Sequence, residues 1–383
     1  MSKIIISLLI FLSAFTPIVN AQDSVEATHQ NLPSEEIIEG EVGKIVDTGK
    51  ESFLESLVSY QVLHISVSKG SLKDEIIEVK NSEIDGGMSH INYIEYKPGD
   101  KIRVFYTTDV NGDPIFSIIG KIKRNSIISL IIIFMICVFV VGRMWGVLSI
   151  IGMSISFLVI FKVIIPLIIS GYNPVLAAVL GSVIIIPATF YISHGFNTKT
   201  HVGVISTIIT LLFTGLLAVF FVENTHLTGY ASEEAGFLQV ERQGSVDIRG
   251  LLIAGIIIGV LGILDDVTIG QASVVQQIKN TNPKISMRHL FQKGMKVGQD
   301  HISSMVNTLV LVYAGSALPL LLLFFDDQKS FIDIIEFELI AEEIVRMLVG
   351  SIGLVLVAPL ATALAAYLFT RYPVKKISAN HQH

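Results

Sequence analysis

The sequence predicts an α-helical polytopic membrane bundle of about seven transmembrane helices, following a signal peptide and a small extracytoplasmic β-barrel domain that is OB-like. Three observations support this prediction. Hydrophobic residues make up 51% of the 383-residue chain and charged residues only 16%, whereas soluble domains carry about a quarter charged residues. The apolar residues fall in blocks long enough to cross a bilayer. Residues 36–123, by contrast, alternate in short runs rich in Ile, Val, Tyr and Phe, which is typical of strands.

The N-terminus resembles a secretory signal in its residue pattern. Lys3 supplies the positive charge, an apolar core follows, and Val19-Asn20-Ala21 forms a small-residue cleavage site. An uncleaved anchor is the alternative, and both place residue 22 onward outside the cytoplasm. The predicted segments are a signal peptide (1–21), a flexible linker (22–35), the β domain (36–124), a seven-helix transmembrane domain (125–371) and a cytoplasmic tail (372–383).

The β domain contains five strand-like runs separated by turn clusters such as "YKPGD" and "VNGDP". Five short strands in this length suit a small closed barrel of the OB type, with a half-open sandwich as the alternative. The segment has no aromatic-plus-basic stripe, so we expect no nucleic-acid partner. A protein partner docking on this outer domain is the expected alternative use.

The transmembrane domain contains seven apolar candidate spans. They cover residues 126–142, 146–169, 173–194, 202–222, 249–273, 302–325 and 343–369. The intervening loops alternate between basic and acidic, which predicts a multi-pass membrane protein with an extracytoplasmic N-terminal domain and a cytoplasmic C-terminus. One feature disagrees with this orientation, because Lys121, Lys123 and Arg124 precede the first span on the outer side.

The fifth span carries two adjacent aspartates, Asp265 and Asp266, inside "GILDDVTIGQAS". Helical spacing places Asp266 on one face with the glycines expected to pack against neighbouring helices: Gly255, Gly259, Gly262 and Gly270. We therefore predict that Asp266 points into the bundle. Charged residues at membrane depth are costly and usually mark ion or proton pathways. The alternative is that the helix has already reached water at Asp265.

The sixth span begins with polar residues that come level with the two aspartates. Asn307 could bond a carboxyl and His301 could relay a proton, whereas interhelical bonding and helix capping are their structural alternatives. The predicted proton, cation or substrate pathway comprises Asp265, Asp266, Thr268, Gln271, Asp300, His301, Ser304 and Asn307. In the last span, Glu342 and Arg346 are four apart and predict an ion pair.

Several long runs of this chain resemble the YibE/F family of bacterial membrane proteins. They are "HGFNTKT" at 194–200, "GILDDVTIGQAS" at 262–273, "GQDHISSMVNTLVLVYAGSALPLLLL" at 298–323 and "GSIGLVLVAPLATALAA" at 350–366. The resemblance implies an inner or plasma membrane protein of several spans, and members of the family are sometimes suggested to be transporters. About sixty residues around the aspartates are also similar in pattern to the resistance-nodulation-division exporters, in which an intramembrane Asp pair carries protons.

These observations favour a transporter, proton- or cation-coupled through the aspartates, for an unidentified substrate. A non-transporting membrane scaffold that docks a partner through its outer domain is the alternative. We expect no enzymatic activity: there is no Walker, HExxH or GxSxG pattern. Adjacent aspartates on one helix diverge by about 100°, so this pair alone cannot form a proteolytic dyad; intramembrane hydrolysis with Asp300 as the second carboxylate is the remaining alternative. The single cysteine, Cys137, provides no disulfide or thiolate metal site, and we expect no cofactor.

Overall fold

The computed structural model describes residues 35–53, 56–82, 84–85, 88–89, 93–109, 112–325 and 330–371. The predicted signal peptide, all but the last residue of the linker, and the tail at 372–383 lie outside the described residues. The chain forms two compact units, Met1–Cys137 and Val138–His383. Each is described by itself.

The first unit is built around a five-stranded antiparallel sheet. Its strands are β1 (Glu36–Phe53), β2 (Ser56–Lys69), β3 (Ile76–Ser82), β6 (Lys101–Thr108) and β7 (Pro114–Lys121), and β4 (Ile84–Asp85) with β5 (Met88–Ser89) forms a separate small ladder. The order is β3-β2-β1-β6-β7. The long β1 curls because its register with β2 shifts at three points, and such irregularities bend a strand.

This sheet is a half-barrel. The strands β3 and β7 form its edges, and no ladder among the described residues joins them. The prediction of a small β domain is thus confirmed as far as a curled antiparallel sheet, while closure into an OB-like barrel is not. Alternating residues of β1 and β2, including Ile38, Val42, Leu63 and Ile65, form a buried core. This alternation is the period of a strand with one buried face.

The second unit is helical. Its helices, together with the α1 segment that begins in the first unit, are α1 (Arg124–Val159), a π-helix (Ile160–Ile164), α2 (Ile165–Ile169), α3 (Pro174–His194), α4 (Thr198–Asn224), α5 (Glu233–Glu241), α6 (Ile248–Thr281), α7 (Met287–Ser316), α8 (Leu318–Phe325), α9 (Phe331–Glu336) and α10 (Glu338–Arg371). Among the described residues, five helical stretches are long and apolar enough to cross a membrane: Arg124–Ile169, Pro174–His194, Thr198–Asn224, Ile248–Thr281 and Glu338–Arg371. The protein is therefore a helical membrane protein.

The 46-residue stretch Arg124–Ile169 is interrupted at Arg143. This residue leaves helical geometry, with φ 47° and ψ −132°. A Cβ atom added at Gly146 would collide with the carbonyl oxygen of Val138, although residues eight apart in a straight helix are about 12 Å apart along the axis. The chain therefore bends sharply here, and only glycine fits at position 146.

The π-helix Ile160–Ile164 changes the phase of the second half of this stretch. Val159, Ile164 and Ile168 are all buried, although a spacing of five residues between the first two would place them about 140° apart on an α-helix. The extra residue of the π turn brings both onto one face. Ile164 then packs where a Cβ atom at Gly181 of α3 would otherwise lie.

Helix α6 lies at the centre of the second unit and contacts α3, α4, α7 and α10. Its buried residues, among them Leu252, Ile256, Val260 and Leu264, recur every four residues and form one apolar face. The largest hydrophobic cluster is built around this face. The central helix is also the helix that carries the two aspartates.

Candidate functional site

The Asp265–Asp266 pair lies in the middle of α6. The helix begins at an Asp247 cap, whose Oδ1 accepts the N–H of Gly250 at 2.9 Å, and it ends at Thr281. From Asp265 it continues for 16 residues, or about 24 Å, with Val267, Ala272 and Val275 buried on the way. The helix therefore does not end at the aspartates.

The two carboxylates have different surroundings. Asp265 is partly buried, whereas Asp266 is exposed on the surface of the unit. Adjacent helical residues point about 100° apart, so one can face neighbouring helices while the other faces away. The prediction that Asp266 points into the bundle is wrong, and Asp265 is the more sheltered of the two.

The predicted packing glycines lie on the same open face as Asp266. A Cβ atom at Gly255, Gly262 or Gly270 would meet no heavy atom within 4 Å, and at Gly259 the nearest would be the Tyr313 hydroxyl at 3.8 Å. The prediction of a packed stripe is therefore corrected. The reason is that the opposite, bulkier face of α6 holds the core contacts. Close helix contacts fall instead at other glycines, among them Gly203, Gly294, Gly298 and Gly353.

A polar contact joins α6 to α4 next to Asp265. The Oγ1 atoms of Thr207 and Thr268 lie 3.1 Å apart, and Thr268 Oγ1 donates to the backbone oxygen of Asp265 at 3.0 Å. Because Thr268 uses its proton there, Thr207 is the donor between the two hydroxyls. Both threonines are fully buried. This chain of hydrogen bonds links the helix neighbouring α6 to the backbone of the sheltered aspartate.

A second polar contact joins α6 to α10. Thr362 Oγ1 donates to Gln271 Oε1 at 3.1 Å, with both side chains buried. The amide of Gln271 in turn lies against α7, where a Cβ atom at Gly298 would be 2.7 Å from its Nε2. Of the predicted pathway residues, Asp265, Thr268 and Gln271 are thus brought together on α6.

The predicted partners on α7 are not brought to the aspartates. Asp300, His301, Ser304 and Asn307 are exposed, and within the described part of the chain no hydrogen bond or ion pair connects them to Asp265 or Asp266. The packed face of α7 carries Gly294, Gly298 and Leu309. This face carries small and apolar residues, and it is the buried one because its burial removes the fewest polar groups from water or lipid headgroups.

Helix α4 contributes buried hydroxyl groups that the sequence analysis missed. They are Thr200, Ser206, Thr207, Thr210 and Thr214, all at most 3% exposed. Within the described residues, the hydroxyls of Thr200 and Thr210 have no hydrogen-bond partner. The signal was present in the sequence, since Thr200, Thr207 and Thr214 are spaced by seven residues and so share one helix face.

The predicted Glu342–Arg346 ion pair is also corrected. Arg346 Nη1 lies 2.9 Å from Glu343 Oε1 instead, three residues away on α10. Both spacings bring side chains together on a helix. Glu342 is only 8% exposed, and its Oε1 has no hydrogen-bond partner among the described residues. Because the Glu342 side chain is buried, the partly exposed guanidinium group of Arg346 pairs with Glu343 instead.

Long apolar helices around a central helix with a carboxylate and buried hydroxyls define a polytopic membrane protein with a polar interior. The family model described as YibE/F-like protein matches residues 130–371. This match covers more than half of the chain, and the chain belongs to the YibE/F-like family. No curated protein and no solved structure matches it.

Proposed function

We propose that this protein is a cell-membrane transporter in which Asp265 carries a proton or another cation. The observation that supports this most is the partly buried Asp265 in the middle of α6, beside the Thr207–Thr268 contact between helices. A charged side chain in the centre of a membrane helix costs about 2.5–3.5 kcal/mol on insertion scales, and such residues usually serve ion or proton movement. The carboxyl would bind the ion, and the neighbouring hydroxyls would offer it oxygen ligands.

Asp266 has a separate role in this proposal. Its exposed side chain exchanges the ion with the surroundings, and Asp265 on the next helical position receives it. Two like charges on adjacent residues repel, which favours one ion shared between them. The exposed face of α6 is thus the entry side, and the α4 and α10 side is the sheltered one.

We further propose seven membrane crossings with the β unit outside the cytoplasm. The stretch Arg124–Ile169 is about 69 Å long at 1.5 Å per residue, more than twice the bilayer core, and the sharp bend at Arg143 divides it into two crossings. Helices α7 and α8 together supply another, Met287–Phe325. The basic segment Lys279–Lys296, which runs from the end of α6 into the start of α7, then faces the cytoplasm, as positive segments do.

The basic residues before the first crossing no longer oppose this orientation. Lys121 Nζ lies 2.7 Å from Asp100 Oδ2, and Arg124 Nη2 lies 3.1 Å from Glu39 Oε2. Acidic groups of the β unit therefore neutralise two of the three cations. Of these three cations, Lys123 alone makes no ion pair with a residue that the structure describes.

Reconstitution into liposomes with an imposed proton gradient tests the transport proposal. The internal pH and the uptake of a panel of solutes would be compared for wild type, Asp265→Asn, Asp266→Asn and Glu241→Gln, whose exposed carboxylate lies on α5. We expect Asp265→Asn to abolish movement, Asp266→Asn to slow it, and Glu241→Gln to behave as wild type. If wild type and Asp265→Asn respond alike, coupling through Asp265 is refuted.

A membrane scaffold is the second candidate, and exposed apolar side chains on the β unit favour it. Leu57 on β2 and Ile76 on β3 are 69% and 71% exposed, and exposed apolar side chains can form part of an interaction site. A photo-crosslinker at position 57, with position 73 as the control, tests this. A specific adduct from 57 alone, together with no solute movement in liposomes, would replace the transport proposal with the scaffold.

A further inference from the structure

The first unit contains a cavity of about 920 Å³ between the two sheet edges and the beginning of α1. Its lining comes from β3, β7 and the first turns of the helix. Ligand sites typically measure about 300–1,000 Å³, so this space suits a ligand larger than a simple ion. Neither the transport proposal nor the aspartates of α6 use it.

The lining of this cavity combines basic and apolar side chains. Lys80, Lys121 and Lys123 line it together with Tyr96, while Ile127 and Leu130 line it on α1. The two apolar side chains are 54% and 66% exposed. They belong to Arg124–Ile169, one of the helical stretches that are long and apolar enough to cross a membrane. The lysines therefore line the same cavity as the beginning of an apolar helix.

The charge in the cavity is unbalanced at one lysine. Lys80 pairs with Glu51 and Lys121 with Asp100, each at 2.7 Å. Lys123 makes no ion pair within the described ranges, and it lies one turn before Ile127 on the chain. An anion bound here would meet one free ammonium group and a polar wall.

We propose that this cavity binds the phosphate-bearing headgroup of an anionic membrane phospholipid. Lys123 would contact the phosphate, and the acyl chains would follow Ile127 and Leu130 into the bilayer. Lysines at a membrane surface attract anionic lipids, and long lysine side chains reach the headgroup level while their stems stay apolar. A free phosphate would use the same lysine but would leave the apolar wall without a ligand.

The test measures binding of acyl-labelled phosphatidylglycerol to the full-length protein in dodecyl maltoside micelles. Labelled phosphatidylcholine is the uncharged-headgroup comparison, and inorganic phosphate is the soluble competitor. Lys123→Gln removes the free cation, and Leu130→Ser removes part of the apolar wall. Lys73→Gln is the matched control, because Lys73 is exposed in the turn between β2 and β3 and lies outside the cavity lining.

We expect phosphatidylglycerol to bind more tightly than phosphatidylcholine. Lys123→Gln should weaken phosphatidylglycerol binding about fivefold, the effect of one lysine near an anionic surface, and Lys73→Gln should not change it. Leu130→Ser should weaken both lipids. Equal binding of the two lipids, or equal losses in Lys123→Gln and Lys73→Gln, would overturn the proposal. Displacement of the label by millimolar phosphate would overturn it as well and would assign the cavity to soluble phosphate.

Discussion

A tight glycine contact in the helical unit, at Gly203, predicts a marked difference between two Gly→Ala variants. In Gly203→Ala, the new Cβ atom on α4 would lie 2.5 Å from Phe190 Cε1 and 2.9 Å from Ile269 Cδ1. Phe190 is only 1% exposed, so its ring has no free space to move into. In Gly255→Ala, on the open face of α6, no heavy atom lies within 4 Å of the new methyl group.

The expected magnitude follows from two opposing effects. Overpacking a well-filled interior costs about 1–3 kcal/mol, whereas replacing glycine by alanine in a helix gains about 1 kcal/mol. The gain is common to both variants. Gly203→Ala should therefore be less stable than Gly255→Ala by about 1–3 kcal/mol, which is the overpacking cost alone.

Thermal unfolding of the detergent-solubilised protein, followed by far-UV circular dichroism, measures this difference. Because 1 kcal/mol shifts the Tm of a domain of this size by about 2–4 °C, the two variants should differ by at least about 2 °C, with Gly255→Ala at or above wild type. If Gly255→Ala lowers the Tm as much as Gly203→Ala does, the face that carries Gly255 is packed. The reasoning from the open stripe would then be refuted.

Three further outcomes are expected. A double-mutant cycle of Glu343→Gln with Arg346→Gln should give a coupling of about 0.5 kcal/mol, as for partly exposed helical pairs, and zero coupling in chemical unfolding would contradict the ion pair at 2.9 Å. Thr207→Val should lower the free energy of unfolding by about 0.5–1.5 kcal/mol because it removes the donor to Thr268. The control Thr281→Val, at an exposed hydroxyl, should change it little. Equal losses in the two variants would argue against the Thr207–Thr268 hydrogen bond. The ion pair and hydrogen bond with Lys121 lower the pKa of Asp100. The stabilisation that Asp100 contributes to the fold should therefore be present above the unfolded pKa near 4 and be lost as the pH falls through the lower folded pKa. In an acid titration followed by near-UV circular dichroism, Asp100→Asn should lose less stability than wild type. Identical profiles would contradict the pairing.

Helix positions could be predicted closely from the sequence because turns and caps delimit apolar blocks. The span predicted at 173–194 is α3, Pro174–His194, where Asn173 accepts the N–H of Leu176 at 3.1 Å. The span predicted at 202–222 extends to Thr198–Asn224 because Asn197 caps an earlier turn, accepting the N–H of Thr200 at 3.0 Å. Polar cap residues carry their own local signal, independent of tertiary contacts.

The inward face of α6 could not be predicted in the same way. Periodicity correctly placed Gly255, Gly259 and Asp266 on one face, but the opposite face with Ile253, Ile257 and Leu264 is also apolar. In water an apolar face turns inward, whereas in a bilayer lipid and protein interior are equally apolar, and packing decides. The choice of partner on α10, Glu343 over Glu342, likewise depends on which side chain the surrounding helices bury.

In the β unit, likewise, the local sequence predicts the strands, whereas barrel closure depends on contacts between residues that are distant in the sequence. Alternation placed its strands, and their order in the sheet follows from pairing that the structure shows. Closure depends on whether the two edges meet, which no short stretch of β3 or β7 encodes. The cavity between those edges was consequently invisible in the sequence, although two of its lysines, Lys121 and Lys123, stand out there as an exception to the charge distribution.

The π turn at Ile160–Ile164 makes this part of the chain tolerant of a length change that its neighbours would not accept. Removing Phe161, which is 61% exposed, would leave Val159 and Ile164 four positions apart, so a regular α-helix would keep both on the buried side. Removing one residue just outside the turn would rotate Ile164 and Ile168 by about 100° relative to the preceding half. The turn thus has the form of a one-residue insertion that the fold has absorbed, and a shortened homologue would be expected to lose it there.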